Sequence, residues 1–382
     1  MSEAVEQITT RRLPLDETHA LFGASMAERD GWMVPADYGD VGGEYESVRG
    51  GGAGVIDLSA RGLIEVGGAE AVQFLNGLVT NDVKTLADGA WMPAAFPNVQ
   101  GRLLAHARVV RRGDLFLFDT EPSTRERVLQ TLERFTLAGD FRVADRSGET
   151  ALLSVQGAGA AAVIDSALGA GAARVERGRV MSASWRDGPV TVIRATHTAE
   201  DGFDLFVEAA GASALWDALA RAGARPVGFD ALEVLRVEAG VPRYGVDMAE
   251  TNVVLEAGLD DAVSFTKGCY VGQEIIARIH WRGHVAKKLA GLIFDDAGGA
   301  SRESRIRTPD GKEIGRVTSS VLSPRLGRAA ALAYVKYDYL KPGTEVRVVE
   351  DDAERAARVA ELPLVRGSWF DGRAGTEGPV AE

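Results

Sequence analysis

The chain holds a single cysteine, Cys269, in 382 residues. One thiol excludes an intramolecular disulfide framework and fits a reducing compartment, so a cytoplasmic location is expected. It also excludes an iron–sulfur cluster held by this chain alone, because such clusters take four protein ligands. Histidine is scarce too: His19, His106, His197, His280 and His284 are the full set. Only the last two are close, at a spacing that aligns two side chains on a helix. Without a third partner no metal site is expected. No run approaches the roughly 18 apolar residues of a membrane span, and the first residues lack the apolar core of a secretory signal. Neither G-x-G-x-x-G nor a P-loop pattern occurs, which argues against a nucleotide enzyme. The net charge of −12 argues against binding nucleic acid over the whole surface.

What is present points to a soluble, mixed α/β protein. At 382 residues the chain exceeds the size of one hydrophobic core, so two or three domains are expected. Forty-five glycines require many turns and disfavour a helical bundle. Leu13–Arg29 is expected to be helical, and glycine pairs and triplets follow it up to Gly52. From Gly54 short strands (Val55–Ser59, Leu63–Val66) alternate with helices whose apolar residues share one face, as Val72, Leu75 and Val79 do. Leu103–Val110 and Leu115–Phe118 flank Arg112-Gly113-Asp114, a hairpin signal, and Ser123–Leu137 reads as an amphipathic helix. Strands at Ala151–Val155, Val190–Ala195 and Phe203–Val207 alternate with helices near Ala158–Leu168, Ser213–Ala222 and Gly228–Glu238. Residues 289–366 alternate apolar and polar positions between Gly, Pro and Asp turns, the texture of a small barrel.

The cysteine sits in Lys267-Gly268-Cys269-Tyr270-Val271-Gly272-Gln273-Glu274. In an extended segment Lys267 and Cys269 share a face, and a neighbouring cation raises the thiolate fraction of a thiol. A lone cysteine is otherwise most often a small buried hydrophobe. Downstream, Arg278, His280, Trp281, Arg282, His284, Lys287 and Lys288 form the most basic stretch. It reads as a solvated face or inter-domain contact, or as a grip for an anionic partner.

The octet resembles the K-G-C-x-x-G-Q-E signature of the YgfZ family, which is similar in sequence to the T-protein of the glycine cleavage system, a tetrahydrofolate-using aminomethyltransferase. Further pieces of that superfamily occur in order: Asp57-Leu58-Ser59, Phe74-Leu75-Asn76-Gly77, Thr80-Asn81-Asp82-Val83 and Asn98-Val99-Gln100-Gly101-Arg102. His197-Thr198-Ala199-Glu200-Asp201-Gly202-Phe203-Asp204 resembles its folate-contacting Y-T-G-E-D-G-F-E, and Leu235 to Gly245 its L-R-x-E-A-G-x-P-x-Y-G. The resemblance implies an α+β fold of three domains around a central folate cavity, with a C-terminal β-barrel. The domains expected are 1–56 with 146–284, carrying the octet; 57–145; and 285–366, followed by a disordered tail at 367–382.

By resemblance, Cys269 and Lys267 carry the chemistry, and Gly268, Tyr270, Gly272, Gln273 and Glu274 complete the signature. Asp204, His197, Arg236 and His106 are the implied folate-binding positions. The sequence also departs from the T-protein. The paired aspartates that follow the G-[GK] step are matched by Ala105 and His106, the pterin-contacting tyrosine by His197, the glutamate by Asp204, and an arginine by Leu232. Three functions follow as expectations. The first is a YgfZ-like folate-binding protein that supports assembly or repair of iron–sulfur cluster enzymes through Cys269, with cluster proteins or assembly factors as partners. The second is a tetrahydrofolate-dependent aminomethyltransferase or methyltransferase. The third is a non-catalytic folate-binding scaffold.

Overall fold

The computed structural model describes residues 10–186, 188–351 and 353–371. Among the described residues, two α/β layers, a small three-stranded N-terminal sheet and a barrel make up the fold. The first sheet has six strands, in the order Val180–Trp185, Gly188–Arg194, Gly202–Glu208, Thr150–Gln156, Gly54–Asp57 and Arg225–Pro226. Strand alternation gives it two apolar faces. Val55, Leu153 and Leu205 meet the helices Ala160–Leu168 and Ala212–Arg221 on one side. Ile56 and Leu152 meet Val41–Arg49 and Phe229–Ala239 on the other.

The second sheet has five strands, in the order Trp91–Pro97, Leu103–Arg112, Leu115–Thr120, Gly62–Gly67 and Arg142–Asp145. Helices Ala71–Leu78 and Arg125–Glu133 cover its inner face through Leu75, Val128 and Leu132. Lys287–Phe294, Arg328–Lys336, Glu313–Ser323, Arg305–Arg307, Glu345–Glu350 and Ala353–Ala360 close into a six-stranded barrel around Leu292, Ile314 and Val348. Closure removes exposed sheet edges, which suits the short alternating strands read from the sequence. The fold is therefore the expected mixed α+β arrangement with a C-terminal barrel. Among the described residues no helix is long and apolar enough to cross a membrane.

Three expectations are corrected. The helix foreseen over Leu13–Arg29 is one short helix, Asp16–Leu21, followed by a hairpin of Ser25–Arg29 and Trp32–Asp37. Asp30 (φ 52°) and Gly31 (φ 79°) turn it, the positive-φ pair that a two-residue hairpin requires. The disordered tail foreseen from 367 begins instead with packed chain. Ser368–Phe370 forms a helical turn, the Trp369 amide donates to the Ala199 carbonyl at 3.1 Å, and Ser368 Oγ bonds Glu200 at 2.6 Å. Residues 372–382 lie outside the described residues. His280 and His284 do not share a helix face, because the helix Gln273–Arg282 ends between them. Their rings stack separately, on Phe265 at 3.6 Å and on Tyr337 at 3.7 Å.

Candidate functional site

Between the N-terminal hairpin, the two sheets and helix Phe229–Ala239 lies a cavity of about 90 Å³. Val34, Leu58, Phe229 and Leu232 give it apolar walls, and Arg29, Arg61, Glu121, His197, Glu233 and Arg243 supply polar groups. Arg243 Nε is buried without a hydrogen-bond partner. The Glu233 carboxyl is pushed up by burial, but Arg236 and Arg243 outweigh that and hold it below the usual range.

Strand alternation explains the charge at one end of this cavity. Along Leu103–Arg112, Ala105, Ala107 and Val109 enter the apolar core under the helices. His106 and Arg108 therefore point the other way, toward the first sheet. On that sheet Phe203, Leu205 and Val207 enter their own core, so Asp204 points back. The two faces meet as a ladder of charges. Glu121 bonds Arg61 at 3.0 Å, Arg61 bonds Asp119 at 2.6 Å, and Asp119 bonds Arg108 at 2.7 Å. Arg108 reaches Asp204 at 2.8 Å, and Asp204 meets His197 Nε2 at 3.0 and 3.1 Å. Burial pushes the Asp204 carboxyl up, but the charges of His197 and Arg108 and bonds from His197 and Ser154 hold it well below the usual range.

The folate positions implied by resemblance are thus partly gathered. His197 lines the cavity, whereas Asp204 is fully buried behind it. Arg236 also lines the cavity, yet its guanidinium is engaged by Asp247 at 2.7 Å, Ser319 at 2.8 Å and Glu233. It ties helix Phe229–Ala239 to the barrel strand Glu313–Ser323. Ala105 is fully buried in the core of the second sheet. His106 is part-buried, and burial lowers its imidazole below the ordinary value against the pull of Asp261. Arg61, Arg108, Asp119 and Glu121 went unnoticed in the sequence. The alternation Ala105-His106-Ala107-Arg108-Val109 was the available signal for Arg108.

The octet forms a separate arrangement. Lys267 is buried, and its Nζ donates to the carbonyls of Val79 at 2.9 Å and Asn81 at 2.7 Å. Cys269 is exposed. The shared face expected for the two side chains is therefore absent, because the segment is not a strand and the ammonium caps the chain that follows helix Ala71–Leu78. Tyr270 is buried beside Ala95 and Leu103, and burial raises its phenol to about 12. Val271 N donates to the Gly77 carbonyl at 3.0 Å. Gly272 (φ 76°) lets helix Gln273–Arg282 start against the Asn98–Gly101 turn, where a methyl group would lie 2.3 Å from the Asn98 carbonyl oxygen. Gly268 is open to solvent, and Glu274, in the first helical turn, favours the positive end of the helix. Among the described residues no three His, Cys, Asp or Glu side chains gather to hold a metal ion.

Comparison with known proteins places this geometry. Residues 15–267 match the GCVT N-terminal domain, and residues 287–366 match the glycine cleavage T-protein C-terminal barrel domain. The chain belongs to the glycine cleavage T-protein family. An aminomethyltransferase of Rubrobacter xylanophilus is 35% identical over 376 residues, spanning 98% of this chain and 100% of that protein. One from Symbiobacterium thermophilum is 33% identical over 369 residues, spanning 93% and 97%. The crystal structure of glycine cleavage system aminomethyltransferase T from Bartonella henselae superposes with a TM-score of 0.86 at 26% identity, over 94% of this chain and 98% of that one. Membership of the T-protein family thus accounts for the two α/β layers and the barrel.

Proposed function

We propose that the chain binds a reduced folate in the central cavity and takes part in one-carbon transfer of the aminomethyltransferase kind. The observation that carries this reading is the cavity, with apolar walls and cationic and acidic side chains beside them. The full-length match to aminomethyltransferases supports it. Whether the residues fit such a ligand is tested by Arg243, whose buried Nε lacks a partner although its Nη1 lies 3.6 Å from Glu233. An unpaired buried guanidinium donor favours an anionic ligand. Tetrahydrofolate, when bound, supplies a nucleophilic amine that accepts the one-carbon unit. Val34, Leu58, Phe229 and Leu232 exclude water from the ring, and the ionised Glu233 carboxylate accepts hydrogen bonds from ring donors. His106, kept neutral by burial, stands where the family pattern has a carboxylate. It supplies no fixed negative charge.

Calorimetry with tetrahydrofolate, followed by turnover with an aminomethyl-lipoyl carrier protein, tests the proposal. Saturable 1:1 binding with turnover is expected. Binding without turnover would favour the scaffold reading, and no binding would end the folate assignment.

A second reading keeps the fold and moves the chemistry to Cys269, as in the YgfZ proteins that serve iron–sulfur enzymes. The exposure of Cys269 at the tip of the octet favours it. Loss of cluster-enzyme activity in cells carrying Cys269→Ser would support it, and wild-type behaviour would remove it.

A further inference from the structure

We propose that His197 is the proton-accepting group of the cavity, with Asp204 and Arg108 as its positioning residues. The inference rests on the folate reading above and assigns the acid–base role that the loss of carboxylates at 105 and 106 leaves open.

Asp204 sets the pair. Its carboxylate is fully buried and held ionised by Arg108 Nη1 at 2.8 Å, so it only accepts hydrogen bonds. His197 Nε2 stands 3.0 and 3.1 Å from its two oxygens. Nε2 must therefore carry a hydrogen, and whenever the ring is neutral Nδ1 is its lone-pair acceptor. His197 lines the cavity and Asp204 does not. The same relationship between an imidazole and a buried aspartate fixes the tautomer of a general base in hydrolytic triads.

The backing of this pair is built, not incidental. The loop that carries His197 is held at its amide by Gln156 Oε1 at 3.0 Å, and Thr198 Oγ1 bonds the same oxygen at 3.2 Å. Arg108 is shared between Asp204 and Asp119 and is stacked near the rings of Trp91 and Phe206 at 5.5 Å. Truncating or turning any member would free the ring. The imidazole presented in this way suits a ligand edge bearing N–H donors, such as an amine or the ring edge of a reduced pterin. It holds a proton at Nδ1 in the imidazolium form, whose charge Asp204 stabilises, and releases it to a departing amine. No net proton is gained over the cycle.

The test is nitrogen-15 NMR of the full chain with labelled histidine, in which His197→Gln identifies the His197 signals. Three results are expected. The free protein shows hydrogen on Nε2 and none on Nδ1; saturation with tetrahydrofolate shifts the Nδ1 resonance; and Asp204→Asn mixes the tautomers and weakens tetrahydrofolate binding at least tenfold. Should Asp204→Asn fail to fold, the two wild-type observations decide the matter by themselves. A ring with hydrogen on Nδ1 would overturn the inference, as would an Nδ1 signal unmoved at saturation while calorimetry shows binding. In those cases the folate reading stands. Absence of tetrahydrofolate binding would overturn both.

Discussion

The Lys267 ammonium lies 2.7 Å from the carbonyl oxygen of Asn81, buried under the exposed Cys269. Burial pushes its pKa from 10.5 to about 8, with Asp82 pulling the other way. A folded pKa below the unfolded one means that unfolding takes up a proton between those two values. The cost of the buried charge is present in full below about pH 8 and is relieved as pH rises toward 10.5. Lys267→Met removes this dependence. Urea unfolding should show wild type gaining up to about 3 kcal/mol on the variant between pH 7 and pH 10.5. A flat difference would mean that the carbonyls of Val79 and Asn81 fully offset burial.

The same geometry separates lysine from thiol. Alkylation of Cys269 in the folded protein should change by less than about twofold in Lys267→Met, because the ammonium is fixed to backbone carbonyls. A tenfold fall would show that the ammonium reaches the sulfur in solution.

The two outer glycines of the signature differ in what they permit. At Gly272 a side chain meets the Asn98 carbonyl oxygen at 2.3 Å and requires a φ of +76°. Gly272→Ala should cost about 2–4 kcal/mol in chemical unfolding. Gly268 has open space around its Cβ position, so Gly268→Ala should stay within about 0.5 kcal/mol. Equal effects would mean that the turn at Asn98 moves aside.

A buried triad carries a third stability prediction. Arg49 donates to Glu200 at 2.8 Å and to Glu238 at 2.9 Å, and Tyr45 and Ser323 also donate to Glu238. Helix Val41–Arg49 and the His197 loop meet at this guanidinium, and the barrel joins through Ser323 on Glu238. Arg49→Met leaves two buried carboxylates facing each other and should cost about 3–5 kcal/mol. A smaller loss would indicate that one carboxylate takes up a proton, which a rise in stability at lower pH would reveal.

The sequence was legible where local pattern and tertiary role agree. The hairpin around Arg112-Gly113-Asp114 forms as Leu103–Arg112 with Leu115–Thr120, because its turn chemistry and period-two apolar pattern coincide. The barrel strands were readable for the same reason. Asp30-Gly31 carried a turn signal just past the stretch expected to be helical to Arg29, whose helix ends at Leu21. Lys267 and Cys269 show the limit of reasoning from spacing. Two residues apart places them on one face only in a strand, and the carbonyls that hold Lys267 come from a segment about 190 residues earlier. The ladder from Glu121 to His197 joins two sheets distant in sequence, so no window of sequence contains it. Its parts were visible only as single polar residues at alternate strand positions.

Alternation along Leu103–Arg112 gives a prediction that separates the two lost carboxylates. Ala105 pairs with Phe96 and is fully buried in the core, so Ala105→Asp places a charge among apolar side chains. It should cost about 3 kcal/mol or more, whatever it does to activity. His106 lies on the opposite face with Arg108, near Arg61 and Asp261. His106→Asp adds a carboxylate near Arg61 but also near Asp261, Glu121 and Asp119, so it should cost some stability. In the folded protein it stabilises positive charge developing on a one-carbon unit. Tetrahydrofolate-dependent turnover with an aminomethyl-lipoyl carrier protein should then rise by about tenfold or more. A folded His106→Asp protein that binds tetrahydrofolate without faster turnover would place the chemistry elsewhere, with His197 and Cys269 the remaining groups to dissect.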